Sequence, residues 1–340
     1  MATQQGNDKV TAKNLNALAA LAAILVIAYL VLDRSENNRP ASDTLIPELK
    51  SQLNDVTSLG ARNASGTVTI RRSDDAWVVV EREGYAADMA KLRDLLVSIA
   101  DAKIIERKTN DPEKYHLIGV NDPSDENSES TELTISGDGF EYGIILGATA
   151  QTVYRYARIA DAEQSVLIDQ DPDVPGDAGD WLADALVDID AERVQQVIIS
   201  HADGEEFVIE KPTAETANYD IVDIPDGREL SYPSVANEIG AALAELTLDD
   251  VRPKPEGALE PGTTTTIRTF DGLQIVAMTY EHDNAIWISI VADAAEEAET
   301  EIQDEVTRVN TRLAAWQYAI PDHKANLLKR RLEDLLKTVE

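Results

Sequence analysis

Residues Thr264–Tyr280 read TTTIRTFDGLQIVAMTY. Two runs rich in Thr, Ile and Val flank Phe270-Asp271-Gly272, and an Asp-Gly step between such runs is a strong local signal for a β-hairpin. Ile286–Val291 follows as a third run and extends the hairpin into a meander. The same grammar occurs upstream. Gly137-Asp138-Gly139 separates Thr131–Ile135 from Glu141–Leu146, and Val153–Ile159 and Val166–Asp169 come next.

Each meander is preceded by a further hairpin signal and an amphipathic stretch. Ser73-Asp74-Asp75 lies between Thr67–Ile70 and Trp77–Glu81, and Asp203-Gly204 lies between Val197–Ile199 and Phe207–Ile209. A helix is expected over Ala86–Ala100, where Leu92, Leu95, Leu96 and Ile99 recur at helical spacing. A second is expected over Ser234–Leu246. Tyr85–Leu92 aligns there with Tyr232–Ile239 at a constant offset of 147, which also sets Leu96 against Leu243, Ile99 against Leu246 and Ile104 against Val251. The fold class expected is therefore α+β: two repeated units, 66–190 and 191–293, each an antiparallel sheet with one helix. A helical segment, 294–340, closes the chain. Ile302, Val306, Val309, Leu313, Trp316 and Ile320 form a short seam, and a leucine stripe follows Pro321. The bland reading is that this segment packs on its own domain. The sharper one makes Trp316, Tyr318, Leu328, Leu332 and Leu335 a docking surface for a partner. The polar stretch Asn121–Ser130 is expected to be a mobile loop.

Leu15–Leu32 reads LNALAALAAILVIAYLVL and carries no charge. At ~1.5 Å per residue it spans roughly 27 Å, close to the ~30 Å of a bilayer's hydrocarbon core. Leu21, Leu25 and Ile27 face lipid in this reading, and Tyr29 suits the interface. A cleaved signal peptide would end in small residues, whereas Val31-Leu32-Asp33-Arg34 stands here. The expectation is a transmembrane helix over 15–32, a cytoplasmic tail over 1–14 and a juxtamembrane linker over 33–65. Lys9 and Lys13 balance Arg34 and Arg39, so charge alone does not orient the span. A short tail before a large body favours translocation of the body, which places it in the periplasm of a cell with two membranes.

Composition removes several functions. Thirty Lys and Arg face 63 Asp and Glu, a formal charge of −33, the wrong sign for neutralising phosphates along a nucleic acid. There is no cysteine, so disulfides, thiolate metal sites and thiol catalysis drop out. His116, His201, His282 and His323 show no paired metal-ligand spacing, and neither Gly-x-Ser-x-Gly nor a P-loop occurs. Asp169–Asp180 begins like a calcium loop but has Val174 where glycine belongs and two stiffening prolines. The alternative is a loop with Asp180 capping a short helix over Trp181–Leu186. No enzyme activity, cofactor or metal is expected.

Four stretches together resemble the bacterial family catalogued as domain of unknown function 4340. They are Glu106–Tyr115 with Gly119-Val120-Asn121-Asp122-Pro123; Tyr154-Arg155-Tyr156 with Val166–Asp169, after Leu146-Gly147; Trp181 with Ile189-Asp190 and Val194; and Trp316-x-Tyr318-x-Ile320-Pro321 before Lys324-Ala325. His116-Leu117-Ile118 is a slightly longer approach to the turn than the family's usual pattern. The resemblance implies an envelope protein with one anchor and an exported body, often encoded beside a gliding-motility-type ABC transporter and its auxiliary membrane subunit. It assigns no catalytic residue. The function expected is a non-enzymatic accessory subunit of an ABC-type envelope transport assembly, partnered by the transporter's membrane subunits. The rivals are a stand-alone envelope or cell-wall ligand-binding module and, behind it, an acid-dependent hydrolase.

Overall fold

The computed structural model describes residues 43–74, 76–257, 260–282 and 285–338. The expected anchor, including Leu21, Leu25, Ile27 and Tyr29, lies outside them. Among the described residues no helix is long and apolar enough to cross a membrane.

Two large antiparallel sheets dominate. The first contains β1 (Val56–Asn63), β2 (Gly66–Ser73), β3 (Ala76–Val79), β4 (Tyr85–Ala86), β5 (Ile104–Arg107), β6 (Thr131–Gly137), β7 (Phe140–Ala150), β8 (Tyr154–Ile159) and β9 (Ser165–Ile168). Its strand order is β4-β3-β2-β1-β6-β7-β8-β9-β5. After the short strand β10 (Ala185–Val187) come β11 (Val194–His201), β12 (Glu206–Glu210), β13 (Asp220–Val222), β14 (Leu246–Thr247), β15 (Asp250–Pro253), β16 (Thr263–Thr269), β17 (Leu273–His282), β18 (Ala285–Ala294) and β19 (Trp316–Ala319). The second sheet runs β13-β12-β11-β16-β17-β18-β19-β15, while β10 pairs with β14 alone. Without its edge strand β4, the first order becomes the second when every index is raised by ten. Ile104 of β5 and Val251 of β15 thus stand on equivalent strands.

The expected α+β architecture is corrected on this evidence of nine- and eight-stranded sheets with few helices. The helices are α1 (Leu49–Gln52), α2 (Met89–Asp101), α3 (Asn237–Gly240), α4 (Thr300–Leu313) and α5 (Asp322–Leu328). Among the described residues only α2 and α4 are long. The Asp88 carboxylate caps α2, accepting the N–H groups of Ala90 and Lys91, and Leu92, Leu95, Leu96 and Ile99 are all buried. The second expected helix shrinks to the single turn α3. Around it the chain closes successive i→i−3 bonds, as from Asn237 to Ser234 and from Ala242 to Ile239. The Tyr219 ring lies against Gly240, where a Cβ would come within 2.3 Å of it, and Leu246 leaves the turn to enter β14. The helical C-terminal segment is corrected as well. α4 stops at Leu313, and Trp316–Ala319 becomes a strand paired on both sides, with Tyr318 opposite Val251 and Ile288.

The opening hairpin forms in the register its turn dictates. Ile267 faces Ile275, Thr265 faces Ala277, and Gly272 takes φ +90° in the turn, a conformation that glycine adopts at low cost. Along β16 burial alternates, so Thr263, Thr265, Ile267 and Thr269 point inward. Gly139 takes φ +83° in the corresponding turn between β6 and β7.

The chain gathers into two compact units, one over 43–67 and Arg93–Val174, the other over Val68–Leu92 and 175–338. In the first, Leu49, Leu59, Leu133, Ile135 and Ile144 are fully buried. The second is built around Trp181, Tyr219, Tyr318, Ile275 and Ile288.

Candidate functional site

The motif residues of the first unit build a brace. Asp111 caps the turn Pro112–Leu117 by accepting the Glu113 N–H, and the hydroxyl of Tyr115 donates to the Glu163 carbonyl. Arg158, only 8% exposed, places its guanidinium 4.6 Å from the Tyr115 ring centre. It donates to the carbonyls of Val120, Ala160 and Ala162 at 3.1, 2.8 and 3.1 Å. Gly147 admits this loop because a Cβ there would sit 2.4 Å from the Ile118 oxygen. Asp122 accepts the backbone N–H and hydroxyl of Ser124 and pairs with Arg62, which also holds Glu132. Those Ser124 hydrogen bonds, then Arg62, hold the Asp122 carboxyl below the usual carboxylate range. The loop expected to be mobile is closed at its base: Ser128 and Ser130 are buried, and the Ser130 hydroxyl donates to the Asn121 carbonyl. The groups of this cluster are engaged in packing, in backbone hydrogen bonds or in ion pairs with one another, which makes it an architectural feature.

The acidic stretch starting at Asp169 is also structural. The Asp169 carboxylate accepts the Lys103 N–H, and Asp171 pairs with Arg155. Ala178–Trp181 is a 3-10 turn and Ala185–Val187 a strand, so Asp180 caps no helix over Trp181–Leu186. Trp181 is fully buried and its indole N–H donates to the Pro175 carbonyl. Among the described residues no three His, Asp or Glu side chains gather to hold a metal ion. His116 and His323 are exposed, His282 ends β17, and His201 is buried. His201 Nδ1 meets the Thr263 hydroxyl at 3.0 Å and Nε2 meets the Arg330 carbonyl at 3.1 Å. A carbonyl only accepts, so Nε2 carries a proton.

The expected docking residues separate. Tyr318, Leu328 and Leu335 are buried in the second unit and offer nothing to a partner; Trp316 and Leu332 are half-buried. Trp316 and Tyr318 both meet the Tyr85 ring edge-on, at 5.1 and 6.0 Å. Burial pushes the Tyr318 hydroxyl above the usual tyrosine range.

What the C-terminal stretch does expose is charge. His323–Arg331 reads HKANLLKRR, a dense basic run in a chain of charge −33. α5 and the turn that follows it carry these residues along a groove of about 760 Å³ that Glu238, Lys324, Asn326, Lys329, Arg330 and Asp334 help line. Lys324 is a structural cation. Its ammonium donates to the Ala244 and Ala241 carbonyls at 2.6 and 3.2 Å, and burial lowers its pKa from the ordinary lysine value. Arg331 is committed too, pairing with Asp203 at 2.8 Å and with Glu205. Lys329 and Arg330 are held only loosely, by Glu281 at 3.5 Å and Glu238 at 3.9 Å, and both carboxylates are well exposed. The Arg330 Nε is buried without an acceptor. The groove can hold an anion.

This architecture defines a β-rich protein built on two large antiparallel sheets. The chain belongs to the family described as Domain of unknown function (DUF4340), whose model matches residues 77–262. No curated protein matches the chain. The matched region includes the Tyr115–Arg158 brace and Glu238 on one side of the groove, and stops short of α5.

Proposed function

We propose that this protein is a non-enzymatic accessory subunit of an ABC-type envelope transport assembly. It is held in the bacterial inner membrane by one helix over 15–32, with residues 1–14 in the cytoplasm and the body in the periplasm. The observation that carries the reading is the uncharged run Leu15–Leu32 joined by a very short connection to a folded body. Folding begins at once after that connection. The Asp43 carbonyl accepts the Ile104 N–H, the Leu45 N–H donates to Ala102, and Leu45, Ile46 and Leu49 are buried. Residues 33–42 reach at most about 33–36 Å even fully extended. A body tethered so closely works beside membrane partners.

Affinity capture of the tagged full chain from detergent extract, followed by mass spectrometry, tests the reading. Recovery of an ATPase with its permease is the expected result; recovery of neither refutes it. The absence of cysteine makes a second test direct, because a single cysteine introduced at Ser42 should react with an impermeant maleimide in cells whose outer membrane has been opened. The α5 groove favours one alternative, a binding module for an envelope ligand.

A further inference from the structure

We propose that the groove along α5 binds a phosphate-bearing anion, gripped by Lys329 and Arg330 with Asn326 as a neutral donor. The inference does not rest on membrane attachment. Its starting point is the contrast between four neighbouring cations. Lys324 and Arg331 are consumed by carbonyls and by a carboxylate pair, whereas Lys329 and Arg330 line open space with only distant partners.

The backbone that presents these two side chains is fixed. The Lys329 N–H donates to Ala325, the Arg330 N–H donates to Leu327, and the Arg330 carbonyl accepts the His201 Nε2–H. A fork of guanidinium donors beside a point-charge ammonium suits the several oxygens of a phosphate. The groove, at about 760 Å³, falls within the range of small-molecule sites and far exceeds what one phosphate needs, so the ligand carries its phosphate on a larger body. Glu238, its side chain 69% exposed and 3.9 Å from Arg330, is the group an incoming anion displaces. Elsewhere a chain of charge −33 repels anions, so binding concentrates at this groove.

The test uses the full chain in phosphatidylcholine nanodiscs at low salt, titrated with inorganic pyrophosphate by calorimetry. Saturable binding that weakens with added salt is expected. The double variant Lys329→Gln/Arg330→Gln should bind about 10–100-fold more weakly, the range lost with charged hydrogen bonds. Asn326→Asp changes an exposed helix residue, leaves folding intact and places a repelling carboxylate in the groove, so it should weaken binding too. Repeating the titration in phosphatidylglycerol nanodiscs identifies the source. Reduced apparent affinity there supports a lipid headgroup as the natural ligand, and unchanged affinity supports a soluble phosphate compound. No binding by the wild type up to about 10 mM pyrophosphate, a threshold of roughly millimolar affinity, overturns the proposal. Wild-type affinity in both variants overturns it equally.

Discussion

Replacing Arg158 by leucine should cost the first unit about 3 kcal/mol. The side chain is 8% exposed and serves three carbonyls, those of Val120, Ala160 and Ala162. Losing each partner costs about 1 kcal/mol, at the low end because a carbonyl keeps a second lone pair. Loss of the guanidinium over the Tyr115 ring adds about 1 kcal/mol. Leucine recovers about 1 kcal/mol through its own apolar burial. Arg158→Lys should retain most of the loss, since one ammonium cannot span three carbonyls and cover the ring as well. Urea unfolding followed by far-UV circular dichroism reads the effect as a midpoint lowered by about 1 M or more with an unchanged slope. All four tryptophans, Trp77, Trp181, Trp287 and Trp316, fall in the second unit, so their emission serves as an internal comparison. A loss below about 1 kcal/mol would refute the view that this arginine organises the signature loops.

Three further outcomes are expected. Gly147→Ala should destabilise by about 1–3 kcal/mol, because the new methyl meets backbone oxygens of Ile118 and Gly119 that cannot swing away; thermal denaturation measures it. Trp181→Ala, which empties a fully buried position and orphans the Pro175 carbonyl, should cost about 3–5 kcal/mol by the same assay. Asp122 has its folded pKa depressed, so its contribution is present above the unfolded value of about 3.9 and is lost as pH falls through the folded value. The stability gap between wild type and Asp122→Asn should therefore narrow from pH 7 to about pH 2.5; a gap of constant size would exclude the linkage.

The strands were legible where alternation and turn chemistry agree, as in Thr264–Tyr280, whose Asp-Gly step and inward-facing threonines match the observed pairing. The helical readings failed where the partner lies far away in sequence. The Ser234–Leu246 periodicity is real, since Ile239 and Leu243 are buried, but the Tyr219 ring against Gly240 leaves room only for tight turns. Leu313, Trp316 and Ile320 fit a helical seam equally well, yet Trp316–Ala319 pairs with β15 and β18 instead. Gln317, fully buried with its side-chain oxygen held by Arg252, disguises this inner strand as a polar-faced helix. The cationic groove was written plainly in His323–Arg331, but a basic run acquires meaning only when the fold shows which charges are already paired.

The shared strand order has a consequence for biosynthesis. In each sheet the first strand made after the central turn or helix, β5 or β15, travels to the far edge and finds its neighbour last. As the chain emerges into the compartment where it folds, N-terminus first, Ile104–Arg107 must wait for Ser165–Ile168, and Asp250–Pro253 must wait for Trp316–Ala319. Each half therefore leaves a strand without its neighbour until a much later strand is made, the condition under which β-rich chains fold slowly and are exposed to aggregation. The second sheet cannot seal until translation has almost finished, so a premature stop after β18 would release a chain whose β15 has no place to go.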